Sequence, residues 1–298
     1  MSYAHCNGSR IAFQQLGQGD DLVMVHGLAT NRAFWYADLA QRLAQHYRVT
    51  LYDLRGHGYS ERSEAGYGAQ DMALDLQELL DQLNIARAHL VGHSYGGGIA
   101  LELAVLAPQR VRSLTVLDSK INRLQPEQRL NDCEFLSSFE QEVLAADGRD
   151  WSEEKHVGLK YLEVMARLRL DGFEAKTRDQ FTPFGAGRGG LRTARQYLAL
   201  IEGTRAEGEF SLRGASLDEL KALQLPLLLM YGEYSRCLPS GRALLDIQDK
   251  ARFVMVPRAG HFFPASHASL VLRELDSFLS IEQDARRFAP SELLRDAS

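Results

Sequence analysis

Nowhere does this 298-residue sequence run apolar for the roughly 20 residues that a helix needs to span a bilayer. The opening MSYAHCNGSR also lacks the continuous apolar segment of a secretory signal, so membrane insertion is not expected. Cysteine is scarce. Cys6, Cys133 and Cys237 are odd in number and far apart, which gives no disulfide framework and makes a reducing cytoplasm the expected compartment. An excess of positive charge is missing too: 34 Lys and Arg stand against 39 Asp and Glu, a formal net charge of -5. That balance argues against general binding to nucleic acid or to anionic membrane. His26, Asp53, His57, His93 and His261 are scattered, with no H-x-x-x-H or C-x-x-C spacing among them, so neither a metal nor another cofactor is expected. There is no internal repeat and no low-complexity tract.

What is present is the composition of an ordinary globular protein, 45% hydrophobic and 24% charged, long enough for one sizeable domain or for a core with an insert. The first third alternates short apolar runs with helical periodicity. DDLVMVHG, YRVTLYDLRGHG and RAHLVG read as strands; WYADLAQRLAQH and AQDMALDLQELLDQLNI read as the helices between them. VRSLTVLDS, LPLLLMYGE and ARFVMVPRAGH supply three later strands. Such alternation implies crossover connections and a mostly parallel sheet with helices on both faces, an α/β architecture. From 120 to 222 the pattern changes. PEQRLNDCEFLSSFEQEVLAADG, SEEKHVGLKYLEVMARLRLDG and GLRTARQYLALIEG read as three helices, with Ser152 as a start signal and Gly148, Gly172 and Gly203 as closing glycines. The expected organisation is a core of 1–119 and 223–280, a helical cap at 120–222 that shapes the substrate pocket, and a partly ordered polar tail at 281–298.

LVGHSYGGG, Leu90 to Gly98, places four glycines around one serine at a strand-to-helix turn. Gly92-His93-Ser94-Tyr95-Gly96 matches G-x-S-x-G, whose small residues allow the sharp turn that lifts a serine oxygen clear of the sheet. A serine hydroxyl needs a base to take its proton as it attacks. His261, after the last apolar strand, is the first candidate; His267 is the reserve, while His93 and His57 read as packing and turn residues. GAGRGG, Gly185 to Gly190, fits G-x-G-x-x-G, but TRDQFTPF before it is no strand, so a flexible cap loop is expected rather than a dinucleotide site.

With HGLATNRAFW, YDLRGHGYS, GHSYGGG and AGHFFP in that order at strand ends, the chain resembles the α/β-hydrolase superfamily, in its serine-nucleophile, esterase- and thioesterase-like branch. The resemblance covers nearly all of the chain apart from the cap and the tail. It implies an oxyanion hole formed by the backbone N–H groups of Tyr95 and Leu28. His26 and Gly27 would shape the Leu28 loop, and together with Trp35 they are the expected substrate contacts. Similar chains carry the acid of the triad in G-x-x-D-x-x-x-P after the penultimate strand, where this one has Gly232-Glu233-Tyr234-Ser235-Arg236-Cys237-Leu238-Pro239. Three arrangements stay open: Asp118 at the preceding strand end as the first choice, Glu233 as the alternative acid, or no carboxylate at all. Cys237, with neither a helix N-terminus nor a paired histidine visible in sequence, reads as pocket lining or core.

The implied activity is hydrolysis of a carboxylic ester or thioester through an acyl-enzyme, with water as co-substrate. A C–C bond hydrolase, an acyltransferase or a slow-turnover ligand-binding or signalling homologue remain as alternatives on the same fold. Lys176, Arg178, Arg188, Arg192, Arg195 and Arg205 stand against only Asp179 and Glu202 in one stretch of the cap. Such a run is either a solvated face or a site for an anionic partner, such as coenzyme A or an acyl carrier protein, beside a small-molecule acyl substrate.

Overall fold

The computed structural model describes residues 1–177 and 181–287. Eight strands form its sheet: β1 Ser2–Cys6, β2 Ser9–Leu16, β3 Asp20–Val25, β4 Tyr47–Tyr52, β5 Ala88–His93, β6 Val111–Leu117, β7 Leu227–Gly232 and β8 Arg252–Val256. They lie in the order β1-β2-β4-β3-β5-β6-β7-β8. From β4 to β8 every pairing is parallel; β1 and β2 add an antiparallel edge. That hairpin was not anticipated from the sequence, although its signal is there. Asn7 and Gly8 both take positive φ, 45° and 74°, as the primed two-residue turn between right-twisted strands requires.

Side chains of a strand alternate between faces, and here both faces are buried. On β3, Val23 and Val25 enter one apolar layer while Leu22 and Met24 enter the other. The first layer is covered by α1 (Ala69–Gln82) and α2 (Tyr95–Leu106); the second by a short irregular helical stretch, Ala33 to Leu43, and by the final helix.

Between β6 and β7 lie α3 (Ser138–Asp147), α4 (Val157–Leu170) and α5 (Gly187–Gly203). Two boundaries differ from expectation. The first helix starts at Ser137, whose side chain and that of Glu140 form a reciprocal cap, and not near Pro126. The second starts after His156 and not at Ser152, because Lys155 and Val157 pair with the backbone of Gln128 in a short bridge. Gly187 to Gly190 form the first turn of α5, so the expected glycine loop is largely helix. Gln196 Nε2 donates to the Gly58 carbonyl at 3.0 Å, Arg62 Nη1 donates to the Ala199 carbonyl at 3.0 Å, and Arg236 pairs with Glu140 at 2.7 Å. These contacts seat the insert on loops at the carboxyl ends of β4 and β7.

After β7 come α6 (Leu238–Ile247) and, beyond β8, α7 (Ala268–Arg287). Residues 281–287 of the expected tail continue α7; 288–298 lie outside the described residues, as do Arg178 and Asp179 of the basic stretch. Among the described residues no helix is long and apolar enough to cross a membrane.

Three histidines are buried where these strand ends meet. Burial pushes His26 and His57 down to about 4, and His93 well below its ordinary 6.5. The unfolded chain therefore binds protons in a window where these rings do not. Folding is opposed progressively as pH falls from about 6.5 toward 4, by roughly 3 kcal/mol at the lower end for each of His26 and His57, with His93 acting in the same direction. Urea unfolding at pH 8, 6 and 5 should show a falling free energy below pH 6.5; equal stability at pH 8 and 5 would contradict the buried, neutral rings.

Candidate active site

β5 delivers Ser94 at φ 55° and ψ −127°, a strained conformation for a residue with a Cβ, and α2 begins at the next residue. The surrounding glycines make room for this turn. A Cβ at Gly92 would strike the backbone of Gly96 and Gly97, and one at Gly96 the carbonyls of Val25 and His26. At Gly97 it would come within 2.7 Å of Ser119 Cβ; Gly98 meets only Ser119 Oγ, at an ordinary 3.9 Å. Gly27 faces the serine itself, since a Cβ there would lie 2.7 Å from Ser94 Cβ.

The neighbouring strand, β6, ends the same way. Asp118 follows it at φ 50°, fully buried, and its backbone N–H donates to the Met230 carbonyl at 2.8 Å. Its carboxylate gathers three donors. Gly232 N–H reaches Oδ1 at 2.7 Å, while Oδ2 accepts from His261 Nδ1 at 2.7 Å and from the Ser235 hydroxyl. On the other side of the ring, His261 Nε2 lies 2.9 Å from Ser94 Oγ. A continuous serine–imidazole–carboxylate chain thus runs across the ends of β5, β6 and β8. Glu233 is not part of it: its carboxylate accepts from Arg258 N–H at 2.6 Å. His267 bonds Ser266 Oγ at 2.8 Å, outside the cluster.

His93 braces His261, donating from Nε2 to the His261 carbonyl at 2.9 Å while Phe34 stacks on the His93 ring at 4.9 Å. His26 Nδ1 donates to the Gly27 carbonyl at 2.8 Å, and its Nε2 accepts from Leu54 N–H at 3.0 Å. With both ring nitrogens engaged and no exposed surface, His26 fixes the loop and cannot touch a substrate. Trp35 is likewise fully buried, behind Phe34. The expected substrate contact at these two positions is corrected, since both are fully buried; the adjacent Phe34 is half-buried and packs near Phe181 at 5.5 Å and Phe262 at 6.4 Å. Leu28 N–H follows Gly27, and Tyr95 N–H opens α2, where the first turn leaves donors without helical acceptors.

Cys237 is buried in the apolar core, one of the two places its sequence reading gave it. It occupies the N-cap position of α6 without a side-chain capping bond, and its Sγ lies 3.8 Å from His261 Nδ1, a histidine neighbour that the sequence did not show. Burial opposes protonation of His261, but the Cys237 sulfur and the Asp118 carboxylate outweigh it and raise the ring to about 10. Asp118, Cys237 and His261 bring their ligand atoms within 4.8 Å of one another, the only such group among the described residues. His89 and His93 do have H-x-x-x-H spacing, yet they sit on β5, where a strand's rise separates them by roughly 13 Å, and His89 bonds Ser113.

Residues 21–268 match the model of the alpha/beta hydrolase fold, and the chain belongs to that family. It is 34% identical over 263 residues to the pimeloyl-[acyl-carrier protein] methyl ester esterase of Aeromonas salmonicida, covering 86% of this chain and 94% of that one. Among solved structures, a thermophilic esterase from Thermogutta terrifontis superposes with a TM-score of 0.68 at 23% identity, covering 94% of this chain and 98% of the other. The meta-cleavage product hydrolase CumD from Pseudomonas fluorescens gives 0.68 at 21%, covering 94% and 97%. At these identities the structural likenesses speak for the fold alone. The sequence relatives support a hydrolase acting on esters.

The sulfur beside Nδ1 is open to direct measurement. In an imidazole NMR titration His261 should hold its proton to about pH 10, and Cys237→Ala should move that value down toward the ordinary range. An unchanged titration in the variant would show that the sulfur plays no part in it.

Proposed function

We propose that the protein is a serine hydrolase that cleaves a carboxylic ester or thioester through an acyl-enzyme on Ser94. The observation that carries this reading is the chain of contacts from Ser94 Oγ to His261 Nε2, 2.9 Å, and from His261 Nδ1 to Asp118, 2.7 Å. Ser94 Oγ attacks the carbonyl carbon while His261 Nε2 takes its proton; the Nδ1 proton stays on the ring, held by Asp118, which stabilises the imidazolium. The N–H groups of Leu28 and Tyr95 receive the oxyanion. The imidazolium gives its proton to the departing alkoxide or thiolate, leaving acylated Ser94. Water then attacks the acyl carbon with His261 as base, releasing the acid and restoring the serine.

The helical insert serves as the cap over this site. Its basic residues support an anionic carrier for the acyl group: Lys176, Arg188, Arg192, Arg195 and Arg205 are exposed, in a chain of net charge -5. The name of the 34% identical relative points to an acyl carrier protein as that carrier. Arg192 is partly engaged, with Nη1 donating to the Tyr59 hydroxyl at 3.0 Å and the guanidinium over its ring.

Ser94→Ala should abolish hydrolysis of a p-nitrophenyl ester with the thermal unfolding curve nearly unchanged. Asp118→Asn should lower turnover by as much as about 10⁴-fold through the wrong imidazole tautomer, and Glu233→Gln by far less. Nearly full activity in Asp118→Asn, with Glu233→Gln dead, would overturn the choice of acid. Because His261 acts as a base only when neutral and its proton is held up to about 10, kcat/KM should climb with pH above neutrality. A profile that falls between pH 7 and 9 would contradict that.

The carrier is tested separately. Hydrolysis of an acyl group borne by an acyl carrier protein should weaken with added salt, while that of a small neutral ester should not. Arg192→Glu with Arg195→Glu should raise KM for the carrier substrate alone; equal effects on both substrates would leave these arginines as a solvated face.

A further inference from the structure

The helical insert contains a cavity of about 300 Å³ that no residue of the sheet lines. Phe139 and Val143 of α3, Met165 of α4, and Phe173 and Phe184 of the connection between α4 and α5 make its wall apolar. Its polar lining residues are Glu174, Thr177, Thr182 and Arg169, the last in the final turn of α4. A basic residue there complements the helix carbonyls, which accounts for an arginine on the surface. It does not account for this one, whose side chain is only 12% exposed. Its Nε is buried without a hydrogen-bond partner, Nη2 reaches the Gly187 carbonyl only at 3.4 Å, and Nη1 stands 3.6 Å from the largely exposed Glu174. A buried guanidinium donor left unpaired beside an apolar cavity is costly unless an acceptor arrives with a ligand.

We infer that this cavity is a binding site for a single apolar chain ending in a carboxylate, a medium-chain fatty acid being the simplest form, with the chain among the aromatic and aliphatic walls and the carboxylate on Arg169. The planar edge of the guanidinium, Nε with one Nη, presents two parallel donors that match the two oxygens of a carboxylate. Glu174 beside the same guanidinium offsets its charge, so a second negative charge on the ligand would gain no net attraction while costing more to desolvate, which favours a monoanion over a dianionic phosphate. The volume lies at the low end of small-ligand pockets, which suits one chain rather than a two-chain lipid. Neither Ser94, Asp118 nor His261 lines the cavity, and the proposal does not depend on the role assigned to them.

Calorimetric titration of the full chain carrying Ser94→Ala, which removes turnover, tests this with decanoate, decanol and decyl phosphate below their micelle concentrations. Decanoate should bind at least tenfold more tightly than either of the others. Arg169→Met should cost decanoate at least tenfold while leaving decanol unchanged, and Ala175→Trp, which fills the cavity from its half-buried rim, should weaken decanoate and decanol alike. Circular dichroism checks that each variant folds; should Arg169→Met fail, the ligand series and Ala175→Trp still decide. Equal binding of decanoate and decanol, tighter binding of decyl phosphate, no binding of decanoate, or decanoate binding that survives Ala175→Trp would each overturn the proposal.

Discussion

A single buried carboxylate holds the carboxyl edge of this sheet together. Asp118 leaves β6 in a left-handed conformation and takes hydrogen bonds from Gly232 at the end of β7, from Ser235 just beyond it and from His261 after β8. Charge-assisted bonds of this kind contribute about 1.5–3 kcal/mol each, and together they offset the cost of removing the charge from water. His261 then reaches the serine that ends β5. Four strand ends are thereby locked to one another through two oxygens. Ser235 extends the lock, since its Oγ also accepts from Cys237 N–H at 3.1 Å at the start of α6.

The serine is held by sterics as well as by polar bonds, its N–H donating to the Leu117 carbonyl at 2.9 Å. Its strained dihedrals persist because β5 and α2 leave the turn no alternative, and because glycine stands wherever another backbone passes close. Burial does the remaining work. His26 and His93 are kept neutral by being dry, so they serve as rigid struts with fixed donors, whereas His261 is raised by the Cys237 sulfur and the Asp118 carboxylate against it. Imidazoles a few ångströms apart thus differ widely in proton affinity, as expected where burial and charge partners differ within one site.

Much of this was legible in the chain. Ser94, His261 and Asp118 each follow an apolar run that ends in a turn, and parallel strands bring such ends to one edge, so their meeting follows from local pattern plus topology. That Asp118, and not residue 235, bonds His261 was only partly legible. Spacing marks position 235 as the usual place for an acid, but that a serine there would donate to an aspartate one strand away depends on how β6 and β7 register, which no local pattern encodes. The contact between Cys237 and His261 joins residues 24 apart and was invisible for the same reason. Trp35 and Phe34 are adjacent in sequence, and only the irregular helical coil of that stretch decides which ring is fully buried and which stays half-buried against His93. The Asn7-Gly8 hairpin, by contrast, carried an explicit turn signal.

The contact chain leaves two nucleophiles beside one imidazole: Ser94 Oγ at Nε2 and Cys237 Sγ near Nδ1. Mass spectrometry of the protein, acid-quenched within milliseconds of mixing with a p-nitrophenyl ester and then mapped by peptide, distinguishes them directly. The account predicts one acyl group per chain, on the peptide that contains Ser94. An acyl group on Cys237, or turnover with no covalent adduct at any time, would contradict it.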